Sequence, residues 1–425
     1  MAKTLSVVGL GYVWLPLALL ARSKGWDVIG LDVDTQKVKK ISTGKAPFED
    51  TYVESELAKS PLPATVDPSS VANVDVVVIA VPTPVTDDRV PDLTPLTSSL
   101  ESILPYLQNG QLLSIESTIN PGVMTEVVLP ILQKRPELSL LVVHCPERVN
   151  PGDPKWSVRN IPRVIGGLTK EAATRGKEFY ESILDAPVKE MDSITEAEAV
   201  KILENTFRDI NIAFVNEMAK SFDKLGIDIK NVIEGASTKP FAFMPHYPGN
   251  GVGGHCISVD PYYMIERARQ VGFDHEFLKL ARSINNSMPE YTVSLIDRAV
   301  EAAGITDRPI TIALLGLSYK KDTDDIRESP ALEIRHILEQ RSDIALRVFD
   351  PHVPSLSTAG SLEEALRGAH GILLGTNHTV FSDALTPSAI RNAGVQFVID
   401  GKNVLDANGI ASEHVAYFGI GRSKN

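Results

Sequence analysis

Cysteine is almost missing from this chain: Cys145 and Cys256 are the two present among 425 residues. Two thiols cannot build a disulfide framework or a zinc ribbon, so a reducing compartment, the cytoplasm, is expected. An excess of positive charge is missing too, since 42 Lys and Arg face 54 Asp and Glu for a net charge of −12. That field opposes general attraction to nucleic-acid phosphates or an anionic membrane surface, and neither partner is expected. Any phosphate must be gripped locally. Long hydrophobic runs are the third absence, for none approaches the ~20 apolar residues of a membrane span. The apolar N-terminus up to Trp26 is punctuated by Gly9, Gly11 and Pro16 and shows no small-residue cleavage pattern. It reads as strand, turn and helix rather than as a signal sequence.

What is there is an ordinary globular composition, 43 % hydrophobic and 23 % charged. The length allows several domains at roughly 100–200 residues each. Short apolar runs at Leu5–Val8, Val28–Leu31, Val74–Val81, Leu112–Ile115, Leu140–His144 and Val164–Ile165 alternate with helical patterns. This alternation predicts a parallel sheet covered by helices. The runs end in loop formers such as Pro82-Thr83-Pro84 and Asn150-Pro151-Gly152, and open parallel sheets bind ligands at those carboxyl ends. From Thr195 to Leu225 the pattern is helical, with Ala199, Ile202, Leu203, Phe207, Ile210, Phe214 and Met218 as its apolar positions. A second strand-bearing region follows at Ile310–Leu315, Leu346–Phe349, Gly371–Leu374 and Phe397–Ile399. The expected fold class is α/β, with two Rossmann-like, doubly wound parallel-sheet domains joined by a long central helix and a helical middle domain. The expected boundaries are 1–192, 193–303 and 304–425. The two ends look related, although residue identity between them is too slight to define a repeat.

Four motifs can carry chemistry. Gly9-Leu10-Gly11-Tyr12-Val13-Trp14 joins a strand to a helix, and Asp32 ends the next strand. That is a dinucleotide fingerprint, with glycines for the turn and for pyrophosphate approach and a carboxylate for the ribose. Asp32 favours NAD over NADP. The third fingerprint position, normally Gly or Ala, is Trp14, which is expected to crowd the packing of helix on strand. Gly251-Val252-Gly253-Gly254-His255-Cys256 precedes a helical pattern, and a thiol there is either a nucleophile whose thiolate the loop and helix stabilise or a buried cysteine in a tight turn. Cys145 ends an apolar strand and reads as structural. Lys201, Asn205 and Arg208 share one helix face, and the apolar residues around them point to a buried polar cluster. Glu116-Ser117-Thr118 and Pro146-Glu147-Arg148 close strands, as substrate contacts or as loop caps.

Together these segments, with Val81-Pro82-Thr83-Pro84 and Lys320 through Thr323-Asp324-Asp325-Ile326-Arg327, resemble the UDP-glucose/GDP-mannose dehydrogenase family over nearly the whole chain. Glu204–Ala213 and Cys256-Ile257-Ser258-Val259-Asp260-Pro261 are similar to members that act on UDP-N-acetylhexosamines, and His144–Val149 to those acting on UDP-N-acetylmannosamine. The resemblance implies an NAD-dependent four-electron oxidation of the sugar C6 alcohol, with Cys256 capturing the aldehyde as a thiohemiacetal and then carrying a thioester. It gives Lys201 and Asn205 the oxyanion, and Glu147, Thr118 and Asp260 the proton and the water. Gly9, Gly11, Tyr12, Val13, Asp32, Pro82, Thr83, Thr118 and Arg327 would bind the cofactor. Glu147, Arg148, Lys201, Asn205, Arg208, Tyr247, Gly253 and Lys320 would bind the sugar nucleotide, with Lys320 on its phosphates and Arg208 on its N-acetyl side. No metal is implied, and the central helix suits a homodimer. The alternatives are a UDP-glucose 6-dehydrogenase, or a non-catalytic nucleotide-sugar binding protein whose dinucleotide site Trp14 blocks.

Overall fold

Runs of β-branched residues bounded by glycine and proline become the strands of two sheets. The computed structural model describes residues 3–86, 90–149, 155–254 and 257–424. In the first sheet, β1 (Thr4–Val8), β2 (Asp27–Leu31), β3 (Ala64–Thr65), β4 (Val76–Ile79), β5 (Leu112–Ile115), β6 (Leu141–His144), β7 (Arg163–Gly167) and β8 (Val188–Glu190) lie in the order β3-β2-β1-β4-β5-β6-β7-β8. Pairing is parallel from β3 to β6, β7 runs antiparallel to β6, and β8 is parallel to β7. β4 is buried along its whole length, as a strand with helices on both faces must be. The second sheet is built from β9 (Ile310–Leu315), β10 (Ile344–Phe349), β11 (Gly371–Leu374), β12 (Phe397–Asp400), β13 (Ala416–Gly419) and β14 (Arg422–Lys424), in the order β10-β9-β11-β12-β13-β14. Only β14 in this sheet is antiparallel to its neighbour.

The chain divides into two compact units, residues 1–204 with 262–273, and residues 205–261 with 274–425. Each has its own core on both faces of its sheet. In the first, Leu15, Leu17, Leu19 and Leu20 of the helix Trp14–Ser23 pack with Leu5, Val7 and Val78, while Leu96, Leu100 and Ile103 cover Val77 and Ile79 on the other face. In the second, Leu295, Ile296 and Ala299 pack with Ile312, Leu314 and Ile399, while Phe381, Ile390 and Ile410 pack with Ala313, Leu315 and Val398. Each fully buried Leu or Ile contributes roughly 1.5–3 kcal/mol. Among the described residues no helix is long and apolar enough to cross a membrane.

The two sheets repeat one turn. Gly9 follows β1 at φ +95° and Gly316 follows β9 at φ +85°. Their amides donate to Leu31 O at 2.8 Å and to Phe349 O at 2.9 Å. A Cβ on Gly9 would meet Ala80 O, and one on Gly316 would meet Thr376 O, so each turn passes too close to the neighbouring strand end for any side chain. The next amides donate to the carboxylates that end β2 and β10, Leu10 N to Asp32 Oδ2 at 2.8 Å and Leu317 N to Asp350 Oδ2 at 2.6 Å. The relation that residue identity hides is therefore present in the backbone.

The central helix runs from Ile194 to Leu225, as its periodicity predicts, but its faces differ from the expected ones. The charged and amide positions that become buried are Glu198, Asp209 and Asn216, on the face of Ile202, Thr206 and Ala213. Arg208 is exposed and Lys201 and Asn205 are half-buried. One residue along a helix is a rotation of about 100°, enough to carry Arg208 out of the face that buries Asp209. Leu203, Phe207 and Phe214 are 71 %, 48 % and 55 % exposed, so three of the seven apolar positions lie outside the core.

Candidate active site

In the first unit the expected cofactor residues gather at the carboxyl ends of adjacent strands. Gly9, Asp32, Pro82-Thr83 and Thr118 follow β1, β2, β4 and β5. The loop after β4 is strapped to the one after β5: Ser117 Oγ donates to Val81 O at 2.7 Å and Thr83 Oγ1 donates to Thr118 O at 2.7 Å. Tyr263 adds an O–H to Thr83 O at 2.6 Å. The helix Trp14–Ser23 starts after Val13 with no side chain capping it; Trp14 N and Leu15 N donate back to Gly11 O at 3.2 and 3.0 Å, and Pro16 has no N–H. Tyr12 stacks on Phe48 at a centroid separation of 4.2 Å. Trp14 does not push the helix off the sheet, as the sequence suggested. Its indole is partly buried against the core and lies over Gly11, where an added Cβ would sit 3.4 Å from the ring. The room comes from Gly11. Asp32, 8 % exposed, accepts from Leu10 N, from Asp34 N at 3.0 Å and from Lys37 Nζ at 2.9 Å.

Behind these loops lies a buried charge cluster. Arg163, fully buried at the start of β7, pairs with Glu116 at 3.3 Å and with Glu147. Tyr180 donates its O–H to Glu116 Oε1 at 2.6 Å, and Glu147 Oε1 accepts Arg148 N and Val149 N at 2.6 and 2.5 Å. Both Glu147 oxygens are thus engaged, one by backbone and one by Arg163. Burial raises the Glu116 carboxyl above its ordinary pKa, against the pull of Arg163. Arg148 is committed to a two-pronged pair with Glu204 and donates Nη1 to Pro162 O at 3.0 Å. His144 is held neutral by burial, its pKa pushed down to about 3, with the Lys201 ammonium adding to the effect. Cys145 is buried and burial pushes its thiol well up, which fits an inert, structural cysteine.

In the second unit Asn205 Nδ2 donates to Asp260 Oδ2 at 2.5 Å, joining two expected catalytic residues. Cys256 and His255 lie outside the described residues, but the loop leading to them is defined. Gly254 N donates to Arg327 O at 3.0 Å. A Cβ on Gly253 would stand 2.7 Å from Glu328 O, and one on Gly254 would stand 2.6 Å from the Tyr319 ring, so only glycine allows this approach. The cysteine loop is therefore laid on the loop that carries Lys320. Asn250 ties the same loop to the ends of β11 and β12, through Nδ2 to Gly375 O at 2.8 Å and N to Gly401 O at 3.0 Å. Tyr247 is exposed, and Arg327 is held by Asp325 at 2.6 Å.

Three segments of the chain match the UDP-glucose/GDP-mannose dehydrogenase family: its NAD binding domain over residues 3–184, its central domain over 195–287 and its UDP binding domain over 313–407. The chain belongs to this family. It is 36 % identical over 409 residues to a UDP-N-acetyl-D-mannosamine dehydrogenase of Pyrococcus horikoshii, covering 94 % of this chain and 96 % of that one. It is 35 % identical over 399 residues to a UDP-N-acetyl-D-glucosamine 6-dehydrogenase of Pseudomonas aeruginosa, covering 89 % of this chain and 91 % of that protein. Among solved structures, a UDP-D-ManNAc dehydrogenase from Pyrococcus horikoshii superposes with a TM-score of 0.90 at 34 % identity, with 99 % of each chain covered.

The cofactor of this dehydrogenase is NAD, and the residues fit it. The Gly9 turn has no room for a side chain and so lets a pyrophosphate approach the backbone, the turn opens a helix, and Asp32 offers a carboxylate at the ribose position. Sequence reasoning passed over two residues of this dehydrogenase. Arg163, a lone cation at a strand start, holds Glu147. Lys402, directly after β12, has its amine pushed down to about 8 by burial, with Asp400 opposing. A lysine following a strand that ends in Asp-Gly was the one available signal. Asp322, His352 and His378 come within metal-ligating distance of one another, yet His378 Nδ1 already accepts Asp322 N at 2.8 Å, so that lone pair is spent.

Proposed function

We propose that this dehydrogenase oxidises the C6 alcohol of a UDP-N-acetylhexosamine, UDP-N-acetylmannosamine in the first place, to the uronic acid. The Asn205–Asp260 hydrogen bond carries this reading, in a chain similar over nearly its full length to UDP-N-acetyl-D-mannosamine dehydrogenases. Bound NAD supplies the hydride acceptor, and an alcohol-to-acid oxidation consumes two equivalents. The Cys256 thiolate adds to the aldehyde to give a thiohemiacetal, loss of the second hydride leaves a thioester, and water releases the acid and the thiolate. Lys201 and Asn205, one turn apart on the central helix, hold the developing oxyanion, each donor worth roughly 3–4 kcal/mol in acyl-transfer sites. Glu147, paired with Arg163, and Asp260 position water and take up protons, with the Thr118 hydroxyl as a donor. Lys320 binds the diphosphate, the Tyr247–Gly253 loop lines the sugar nucleotide, Arg208 reads the acetamido group, and Arg148 acts through its pair with Glu204. Arg327, held by Asp325, completes the cofactor contacts.

Residues 1–192, 193–303 and 304–425 serve as cofactor, catalytic-loop and UDP-sugar segments. Phe207 and Phe214, among the apolar residues left exposed on the central helix, together with Phe277 and Leu280, support a homodimer. The scarcity of cysteine supports a cytoplasmic enzyme. Assay of UDP-N-acetylmannosamine, UDP-N-acetylglucosamine and UDP-glucose for NADH, with product mass, tests the reading. Two NADH per sugar and an acid product are expected, with Cys256→Ser making no acid. One NADH with a released aldehyde or ketone would overturn the thioester scheme.

A further inference from the structure

We propose that His378 is a positioning residue for the diphosphate end of the substrate, acting through Asp322 on the loop that presents Lys320. The inference rests on the reading of Lys320 given above. His378 is completely buried after β11. Its Nδ1 accepts the backbone N–H of Asp322 at 2.8 Å, so the ring proton sits on Nε2, which lies 3.0 Å from Asp350 Oδ2 and 3.3 Å from Ser318 Oγ. Asp322 is a left-handed corner at φ +54°, a conformation that needs support from outside the loop. Support comes from both directions: its carboxylate accepts Thr379 N at 2.8 Å and Thr379 Oγ1 at 2.6 Å. Asp322, His378 and Thr379 therefore close a reciprocal latch.

The other end of the loop is tied to the same histidine. Leu317 N and Ser318 N donate to Asp350 Oδ2 at 2.6 and 3.1 Å, and that oxygen also faces His378 Nε2. Between these anchors, Lys320 O accepts from Ser318 Oγ at 2.8 Å and from Thr323 Oγ1 at 3.1 Å. Lys320 thus sits on a span of backbone whose two ends meet on one imidazole. A lysine ammonium is a point charge on a flexible stem, and the backbone that carries it decides where the charge is found. Diphosphate contacts are the same in ground and transition states, so loosening them raises KM and leaves kcat.

Two substitutions separate the two bonds. His378→Gln can still donate toward Asp350 but offers no acceptor at the Nδ1 position, whereas His378→Asn keeps an acceptor oxygen there and loses the far donor. His378→Gln is expected to raise KM for UDP-N-acetylmannosamine, and the inhibition constant of UDP, about tenfold, with kcat and KM for NAD within about twofold. His378→Asn stays within about threefold of the parent. Equal shifts in both variants, no shift in either, or a loss confined to kcat or to NAD would overturn the inference. Lys320→Ala is measured beside them: if it leaves KM for the UDP-sugar unmoved, the reading of Lys320 fails, and if it raises KM while His378→Gln does not, the latch alone fails. Should His378→Gln not fold, Thr379→Val and Asp322→Ala cut the latch from its exposed side and should each raise the same KM about threefold; an unmoved KM in both refutes the latch.

Discussion

Replacing Arg163 by Met puts the buried charge cluster to a quantitative test. Arg163 is enclosed with Glu116 and Glu147, one cation against two carboxylates, and none of the three side chains is more than 3 % exposed. Met has about the volume of the arginine stem, so the cavity left is small and the main effect is electrostatic. Taking one partner out of a buried ion pair costs about 3–5 kcal/mol, because the remaining charge is left without compensation. Against a typical unfolding free energy of roughly 5–15 kcal/mol, that is a large share. The pH dependence carries the sign. Burial already raises the Glu116 carboxyl, and without Arg163 the charge opposing that rise is gone. Its folded-state pKa then lies further above its unfolded value, so the variant recovers stability as pH falls through the raised value and loses most above it. Urea unfolding at pH 8 and pH 5.5 is the assay, and the gap between variant and parent should narrow at the lower pH. Adding Glu116→Gln, which can still accept the Tyr180 hydroxyl, should return about half of the loss by removing one unpaired charge. A variant within about 1 kcal/mol of the parent at both pH values, with no gain from Glu116→Gln, would refute the reasoning, since a buried ion pair cannot be removed that cheaply.

Gly9→Ala places a Cβ on Ala80 O at a positive φ and should weaken NAD binding at least about tenfold by moving the turn, read by calorimetry with the UDP complex unchanged. Asp350→Asn tests the root of the Lys320 loop: burial favours the protonated carboxyl, but the His378 side chain and the amides of Leu317 and Ser318 outweigh it and bring its pKa down to about 2. A depressed carboxyl stabilises above its unfolded value near 4 and loses that contribution as pH falls through about 2, so the parent should show an acid limb of about 2 kcal/mol that the variant lacks; identical acid limbs would count against it. For the proposed homodimer, Phe207→Asp should shift sedimentation from dimer to monomer, and a variant that sediments as the parent does would overturn that contact.

The strands were legible wherever burial on both faces produced a continuous apolar run, and Leu112–Ile115, Ile310–Leu315 and Gly371–Leu374 stand at the predicted bounds. β3 and β8 were not, because strands of two and three residues at the sheet margin carry too few positions to show a period. The central helix was legible as a helix but not in its faces, since its apolar positions serve both the core and an exposed surface. Among site residues, the fingerprint glycines and Asp32 announced themselves because backbone geometry and residue type are coupled there. Arg163 and His378 did not. Their roles depend on partners distant in the chain, Glu116 lying 47 residues from Arg163 and Asp350 lying 28 from His378, and no local pattern marks a polar group that tertiary packing will bury.

The repeated turn sharpens what a fingerprint means. In both units a glycine passes under a strand end and a carboxylate at the end of the next strand accepts the following amide, which the turn itself demands. The two carboxylates then differ. Asp350, with no exposed surface, accepts amides from Leu317, Ser318, His352 and Val353 and faces His378 Nε2. A carboxylate has about four lone-pair sites, so Asp350 has nothing left for a ribose. Asp32 accepts two amides and the Lys37 ammonium, and keeps an exposed edge. A lysine can be exchanged for a ligand hydroxyl at little cost in water, whereas a buried amide cannot. The same strand, turn and carboxylate therefore give a cofactor site in the first unit and a structural anchor in the second, and the count of donors already spent on the carboxylate separates the two.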